Sequence, residues 1–131
     1  MSMRKLIIEG RRYLWGVSHK HHVLPAESPD GVPGCREVFT AYLEGWKATP
    51  LRVQFSAAKH HQVGHPAAGE VWVSKAPKVY WNLNTPGIAT GLIKHALANG
   101  WQPDKQSRPT VIEDGFAFGL TSGCGVVDRA H

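Results

Sequence analysis

The spacing of apolar residues changes at Thr85-Pro86, and this change constrains the fold more than any other feature of the sequence. Before this point apolar residues recur at every second position, most clearly from Leu51 to Ala57. Such alternation is typical of strands with one buried face. After it, apolar residues recur with the spacing of a helix. The sequence therefore predicts a series of strands followed by a helix that packs on them.

The helix is predicted over about residues 86–99. Thr85 is a favoured N-cap residue, and Pro86 occupies the first helical position, where the missing amide hydrogen costs nothing. Gly100 can adopt the left-handed conformation that ends many helices. The apolar stripe of this helix consists of Ile88, Leu92, Ile93, Ala96 and Leu97.

Alternating runs predict the strands, and turn residues separate them. The runs are 5–8, 13–18, 38–43, 51–57, 71–73, 78–83 and 111–120. We therefore predict an α+β fold: a largely antiparallel, curved sheet of about six or seven strands with one main helix packed on it. A sheet that bends further, toward a half-barrel around the helix, is the variant of this prediction.

Length and composition indicate one globular domain over residues 1–131. The chain is 42% hydrophobic and 19% charged, which excludes disordered and fibrous classes. Apolar runs are too short for a membrane helix, and Leu6 to Ile8 is too short for a secretory signal, so we expect a cytoplasmic protein. The glycine-rich end, 121–131, is interpreted as a tail without fixed structure.

The residues around the helix also resemble a pattern in small bacterial proteins of unassigned function. That pattern joins a strand, an Asn-Thr-Pro helix start and a Gly-Trp helix end, and a last strand follows. Here it lies within about residues 79–104 and consists of Trp81-Asn82-Leu83-Asn84-Thr85-Pro86-Gly87, 92–101 and Pro103-Asp104. The resemblance implies a bacterial, stand-alone α+β domain of the kind carried on mobile gene cassettes. It implies no catalytic residues.

The helix start is a candidate site for an anion or a small ligand. Asn82, Asn84 and Thr85 surround backbone amides at the helix N-terminus, and Gly87 leaves room beside them. Such termini attract anions through their free N–H groups and the helix dipole. The alternative interpretation is an ordinary helix cap that follows the end of a strand.

Histidines crowd two segments and suggest a metal site. His19 and His21 would share one face of a strand, and His60 and His65 lie in a second segment. Imidazole is a common ligand for zinc, copper or nickel, but the spacing matches no named metal motif. The alternative is that these are solvated histidines, and we expect no cofactor.

Aromatic residues outside the predicted core suggest an interaction surface. Trp46 lies in a predicted turn, Trp72 is out of phase with its valine neighbours, and Tyr42 and Tyr80 fall on predicted outer faces. Exposed aromatic residues are enriched where proteins bind one another. In the alternative interpretation the sheet curls and buries both of its faces.

The net charge of +5 and a pI near 9.5 raise the question of whether the chain binds nucleic acid. The densest basic cluster consists of Arg4, Lys5, Arg11, Arg12 and Lys20. Such a cluster is more typical of a solvated strand edge than of a nucleic-acid footprint. We rank nucleic-acid binding through this N-terminal hairpin third among the functions.

No catalytic constellation is evident, so we favour a non-catalytic binding or interaction module. Its partner would be another protein or a second copy of the chain in a homodimer. The alternative is a small metal-dependent or ligand-binding enzyme that uses the histidine-rich loops. Adjacent Glu113 and Asp114 are interpreted as a polar turn rather than as an acid–base pair.

Overall fold

The computed structural model describes residues 3–22, 34–56, 61–63, 69–74, 78–105, 108–122 and 126–128. In chain order the elements are β1 (Arg4–Ile8), β2 (Arg11–His22), β3 (Gly34–Leu43), β4 (Leu51–Ser56), β5 (His61–Val63), β6 (Glu70–Val73), β7 (Lys78–Asn82), α1 (Pro86–Ala98), β8 (Thr110–Ile112), α2 (Gly115–Ser122) and β9 (Val126–Asp128). One sheet has five strands in the order β1-β2-β3-β4-β8, and the other has four in the order β5-β6-β7-β9. The predicted α+β class and the largely antiparallel pairing are confirmed, and the sheet is not closed.

Strands β1 and β2 form the predicted N-terminal hairpin. Its turn consists of Glu9 and Gly10, which both have positive φ angles of 51° and 78°. Two such residues form the type I′ turn, whose twist matches that of the strands beside it. The turn sets the register, in which Ile8 pairs with Arg11 and Leu6 with Tyr13.

The five-stranded sheet has one buried face, which we call the inner face. Its large side chains are almost fully buried, and they include Tyr13, Trp15, Phe39, Val53 and Phe55. Helix α1, helix α2 and strands β6 and β7 contribute Leu92, Phe116, Val71 and Trp81 to the same core. These elements therefore form the layer that covers the inner face.

Helix α1 begins and ends close to the predicted bounds. Thr85 is its N-cap residue and Pro86 its first residue. The left-handed Gly100 follows its end with φ at 105°, and the amide of Trp101 donates to the carbonyl of Ala96 (3.0 Å). Of the predicted stripe, Leu92, Ile93 and Ala96 are buried, and Ile88 and Leu97 are half-buried.

The predicted last strand over 111–120 is wrong. Only β8 is a strand there, and it pairs in parallel with β4, while 115–122 form helix α2. Asp114 starts this helix, because its Oδ1 accepts a hydrogen bond from the amide of Ala117 (3.0 Å). A hydrogen-bonding side chain at a helix start is the ordinary cap, and it outweighs the alternation of Phe116 and Phe118.

Two short strands lie in segments without a predicted strand. β5 lies in the histidine-containing segment between the predicted strands 51–57 and 71–73, and β9 lies within 121–131. Each has only three residues, too few for alternation to be visible in the sequence. They complete the four-stranded sheet on either side of β6 and β7.

Within the described residues no helix is long and apolar enough to cross a membrane. The longer of the two described helices, α1, has 13 residues, whereas a bilayer requires roughly 20.

Candidate functional site

The predicted anion-site residues lie together at the start of α1, where they bond to one another. The Asn82 carbonyl accepts a hydrogen bond from Thr85 Oγ1 (2.7 Å), and Asn82 Oδ1 accepts one from the amide of Asn84 (3.0 Å). Thr85 therefore does not cap the helix with its side chain. Gly87 is exposed, and Arg4 Nη1 donates to the Asn84 carbonyl (2.7 Å). The geometry is that of a strand–helix junction, and anion binding there stays a prediction.

Of the predicted metal ligands, the structure places only the side chain of His19. Its Nδ1 lies 2.8 Å from Oε1 of Glu37. The side chain of His21 and all of His60 and His65 lie outside the described residues. Among the residues that are described, no group of three or more potential ligands converges. The metal hypothesis stays a prediction, and calorimetric titration with zinc tests it.

The His19–Glu37 pair is a buried polar pair that the sequence analysis did not identify. The two residues are register partners on β2 and β3, and their side chains are 9% and 0% exposed. A buried carboxylate is tolerated only when it is paired or hydrogen-bonded. The spacing along β3 could have revealed the burial of Glu37, because this residue alternates in phase with Phe39 and Ala41 on the inner face.

A second histidine joins the two described helices. His95 Nε2 lies 2.9 Å from Thr121 Oγ1, and Nδ2 of Asn99 lies 3.4 Å from its Nδ1. The contact with Thr121 links helix α1 to helix α2.

The four predicted aromatic surface residues lie on two surfaces. Tyr42 is on β3 and Trp46 follows it in the turn, both on the five-stranded sheet. Trp72 and Tyr80 are register partners in the four-stranded sheet. Trp46 and Tyr80 are 38% and 36% exposed, and the other two are half-buried. They therefore do not form one surface.

Tyr80 is tied to its own sheet by Glu70. Burial raises the pKa of the Tyr80 hydroxyl, and the charge of Glu70 and a hydrogen bond to that carboxylate raise it further. Glu70 and Trp72 are two residues apart on β6 and point to the same side. The aromatic surface of the four-stranded sheet therefore carries its own acidic residue.

The predicted basic cluster of the first hairpin is divided between different environments. Arg4 stacks over Trp15, with its guanidinium carbon 5.3 Å from the ring centroid. Arg11 pairs with Asp104 (3.1 Å) and Arg12 with Glu44 (3.4 Å). Lys5 is exposed, and the side chain of Lys20 is outside the described residues. The cluster does not form one continuous footprint.

The side of the five-stranded sheet opposite the core is a cationic surface, which we call the basic face. Alternation places on it the strand residues that are out of phase with the inner face. Its cationic side chains are Lys5, Arg12, Arg36 and Arg52, with Lys47 in the β3–β4 connection. Among the described strand residues of this face none is acidic; Glu44 and Glu113 lie just beyond the ends of β3 and β8.

One end of the basic face is open and the other is closed. At the closed end Arg36 Nη1 donates to Gln54 Oε1 (3.1 Å), and the register partner of Gln54, Val38, is buried. The open end carries exposed apolar residues, Ile7 at 67% and Val111 at 43%. It also contains a groove of about 260 Å³ that is lined by Met3, Thr40, Tyr42, Lys47, Pro50 and Arg52.

Comparisons with known proteins give no assignment. The chain matches no protein-family model, no curated protein and no solved structure. The resemblance over about residues 79–104 stays an expectation.

Proposed function

We propose that the protein is a non-catalytic binding module that recognises an acidic protein surface through its basic face. The observation that carries this proposal is the distribution of charge across the five-stranded sheet. The helices and the second sheet pack on the inner face of the five-stranded sheet. On the basic face, the described strand residues include lysine and arginine but no acidic residue. Complementary charge steers a partner to such a face and fixes its orientation.

Cations at the open end of the face are available to a partner. Among the described residues, no acidic side chain lies within 4.0 Å of the charged groups of Lys5, Lys47 or Arg52. Arg11 and Arg12, on the neighbouring hairpin turn, are already paired. The charge that a partner would meet is therefore concentrated around Tyr42.

The side chains of this face favour a protein over a nucleic acid. Methionine, tyrosine and arginine are enriched in protein interfaces, and Met3, Tyr42 and Arg52 lie together here. Proteins that bind single strands stack successive bases on several aromatic side chains. Among the described strand residues of the basic face, Tyr42 is the only aromatic one. Binding of nucleic acid is therefore the alternative that the test must distinguish from binding of an acidic protein.

A homodimer through the basic face is disfavoured by its charge. A two-fold interface places the same patch on both subunits, so Lys5, Lys47 and Arg52 would meet their own copies. Like charges brought together in an interface cost free energy. A homodimer, if one forms, is expected to use another surface, such as the one around Trp72 and Tyr80.

The test is a titration of the isotopically labelled protein, followed by nuclear magnetic resonance. The probes are poly-L-glutamate, a single-stranded oligodeoxynucleotide and a duplex of the same sequence. We expect poly-L-glutamate to shift the amide signals of Lys5, Tyr42 and Arg52 and to lose this effect as salt is added, because surface charges are screened. Shifts at these amides from oligonucleotides alone, or no shift from any probe, would contradict the proposal.

A further inference from the structure

We propose that the groove at the open end of the basic face is a subsite for a glutamate side chain of the partner. This inference rests on the proposed function and names the chemical group that the face would recognise. The groove, at about 260 Å³, is smaller than the roughly 300–1,000 Å³ of pockets that hold whole small-molecule ligands. Its size suits one side chain from a larger partner.

The walls of the groove match both parts of a glutamate side chain. Arg52 and Lys47 line it, and a guanidinium can bind a carboxylate through two parallel hydrogen bonds. The hydroxyl groups of Thr40 and Tyr42 are further donors on the same walls. Met3 and Pro50 supply apolar contact for the methylene groups of the side chain. This combination favours a carboxylate on an aliphatic stem over a bare inorganic anion.

The turn that carries Lys47 is held in place by hydrogen bonds. The amide of Trp46 donates to the Leu43 carbonyl (2.8 Å), and the amide of Thr49 donates to the Trp46 carbonyl (3.2 Å). Thr49 is buried, and its hydroxyl donates to the Pro103 carbonyl (3.1 Å) in the segment after α1. A turn ordered in this way loses little conformational entropy when a ligand binds.

The two cations of the groove come from strand β4 and from the turn that precedes it. Arg52 is the register partner of Thr40, so its side chain begins directly beside that hydroxyl on the basic face. Lys47 approaches from the β3–β4 connection. The site is thus assembled from neighbouring rigid elements, together with Met3 ahead of β1.

The experiment is a titration with N-acetylglutamate amide, which presents one glutamate side chain without other charges. We expect saturable shifts confined to the amides of Thr40, Tyr42, Lys47 and Arg52. The neutral N-acetylglutamine amide has nearly the same shape and is expected to leave these signals in place. Inorganic phosphate serves as the second control and is expected to bind at least about tenfold more weakly, because it gains nothing from the apolar walls.

Two matched variants make the result specific to the groove. Arg52→Gln should weaken binding of N-acetylglutamate amide by roughly tenfold, since a hydrogen bond to a charged group is lost. Lys94→Gln removes an exposed cation from helix α1, which packs on the opposite face of the sheet, and should change the affinity by less than about twofold. Both positions are exposed, and unchanged melting temperatures would show that both variants fold.

The possible outcomes separate this inference from the proposed function. If poly-L-glutamate shifts the basic face but N-acetylglutamate amide does not shift the groove, the subsite is wrong and the proposed function stands. If phosphate or the glutamine analogue binds as well as the glutamate analogue, the assignment to a glutamate side chain is also wrong. If the groove binds the glutamate analogue but poly-L-glutamate leaves the face unchanged, the proposed function fails.

Discussion

The two faces of the five-stranded sheet use the same strands for different purposes. On β3, Glu37, Phe39 and Ala41 are completely buried on the inner face, whereas Thr40 and Tyr42, each one residue further along, are half-exposed on the basic face. Among the described residues Glu37 is the one fully buried carboxylate, and it lies beside His19 on the inner face. On the basic face Arg12 pairs with Glu44, whereas Lys5, Lys47 and Arg52 have no acidic partner within 4.0 Å among the described residues. Substitutions on the two faces should therefore affect different properties, stability on one and binding on the other.

The largest effect is expected from Glu37→Ala on the inner face. Removing one member of a buried polar pair typically costs about 3–5 kcal/mol in the free energy of unfolding, because the hydrogen bond between the two side chains is lost. The matched control is Glu44→Ala, which removes an exposed carboxylate paired with Arg12 and should cost less than about 1 kcal/mol. Denaturant unfolding measures both values. Equal losses in the two variants would show that the inner-face pair is not special.

A smaller loss in the free energy of unfolding is expected from Gly115→Ala, at the point where α2 packs on the inner face. A Cβ atom at Gly115 would lie 2.6 Å from the Gln54 carbonyl oxygen and 2.9 Å from the Phe55 ring, so Gly115→Ala should destabilise by about 1–3 kcal/mol. At Gly87, in the first turn of α1, such a Cβ would meet no atom of the described residues within 4 Å beyond its own helical turn. Gly87→Ala should leave stability unchanged or raise it by up to about 1 kcal/mol. If Gly115→Ala left the free energy of unfolding in urea unchanged, this result would contradict the described packing.

Alkaline pH should test the burial of Tyr13 on the inner face. Burial is the main cause that raises the pKa of its hydroxyl above the ordinary value of 10.0. The folded state therefore holds this proton more tightly than the unfolded state does. The stabilisation is fully present below pH 10.0 and is lost as the pH rises through the folded-state pKa. Relative to wild type, Tyr13→Phe should become progressively more stable over that range, and a constant difference in unfolding free energy would contradict this.

The smallest effect on stability is expected from charge reversal on the basic face. Arg52 is exposed and has no acidic partner among the described residues. Arg52→Glu should therefore change the free energy of unfolding by no more than about 0.5 kcal/mol, even though it is expected to weaken binding. A loss as large as that of Gly115→Ala would show that the basic face contributes to the core rather than to recognition.

Much of the fold could be predicted from local patterns. The strands β1 to β4 and helix α1 were visible because alternation, turn residues and the Thr85-Pro86 start all agree. Helix α2 was missed because Phe116 and Phe118, two residues apart, fit a strand as well as a helix. Its cap at Asp114 and the close contact of Gly115 with β4 depend on tertiary packing. The parallel pairing of β8 with β4 depends on it as well.

The candidate site was less accessible to sequence reasoning. Tyr42 was recognised as an outer-face residue, but Trp72 and Tyr80 were grouped with it although they lie in the other sheet. The groove is lined by Met3, Lys47 and Arg52. Met3 is distant in sequence from the other two, and Lys47 and Arg52 belong to no recognisable motif. Such a site appears only once the strand order is known. Glu37, in contrast, could have been assigned to the inner face from its phase with Phe39.

The central claim is that the position of the cations, rather than the net charge, gives the protein its recognition surface. The most direct test of this claim is to titrate two double variants with poly-L-glutamate and to measure the affinity of each by calorimetry. Lys47→Glu with Arg52→Glu alters the basic face, and Lys94→Glu with Lys105→Glu makes the same charge change at exposed positions elsewhere. We predict that the first pair lowers affinity by at least about tenfold and the second by less than about threefold. Equal losses in the two double variants would contradict the claim.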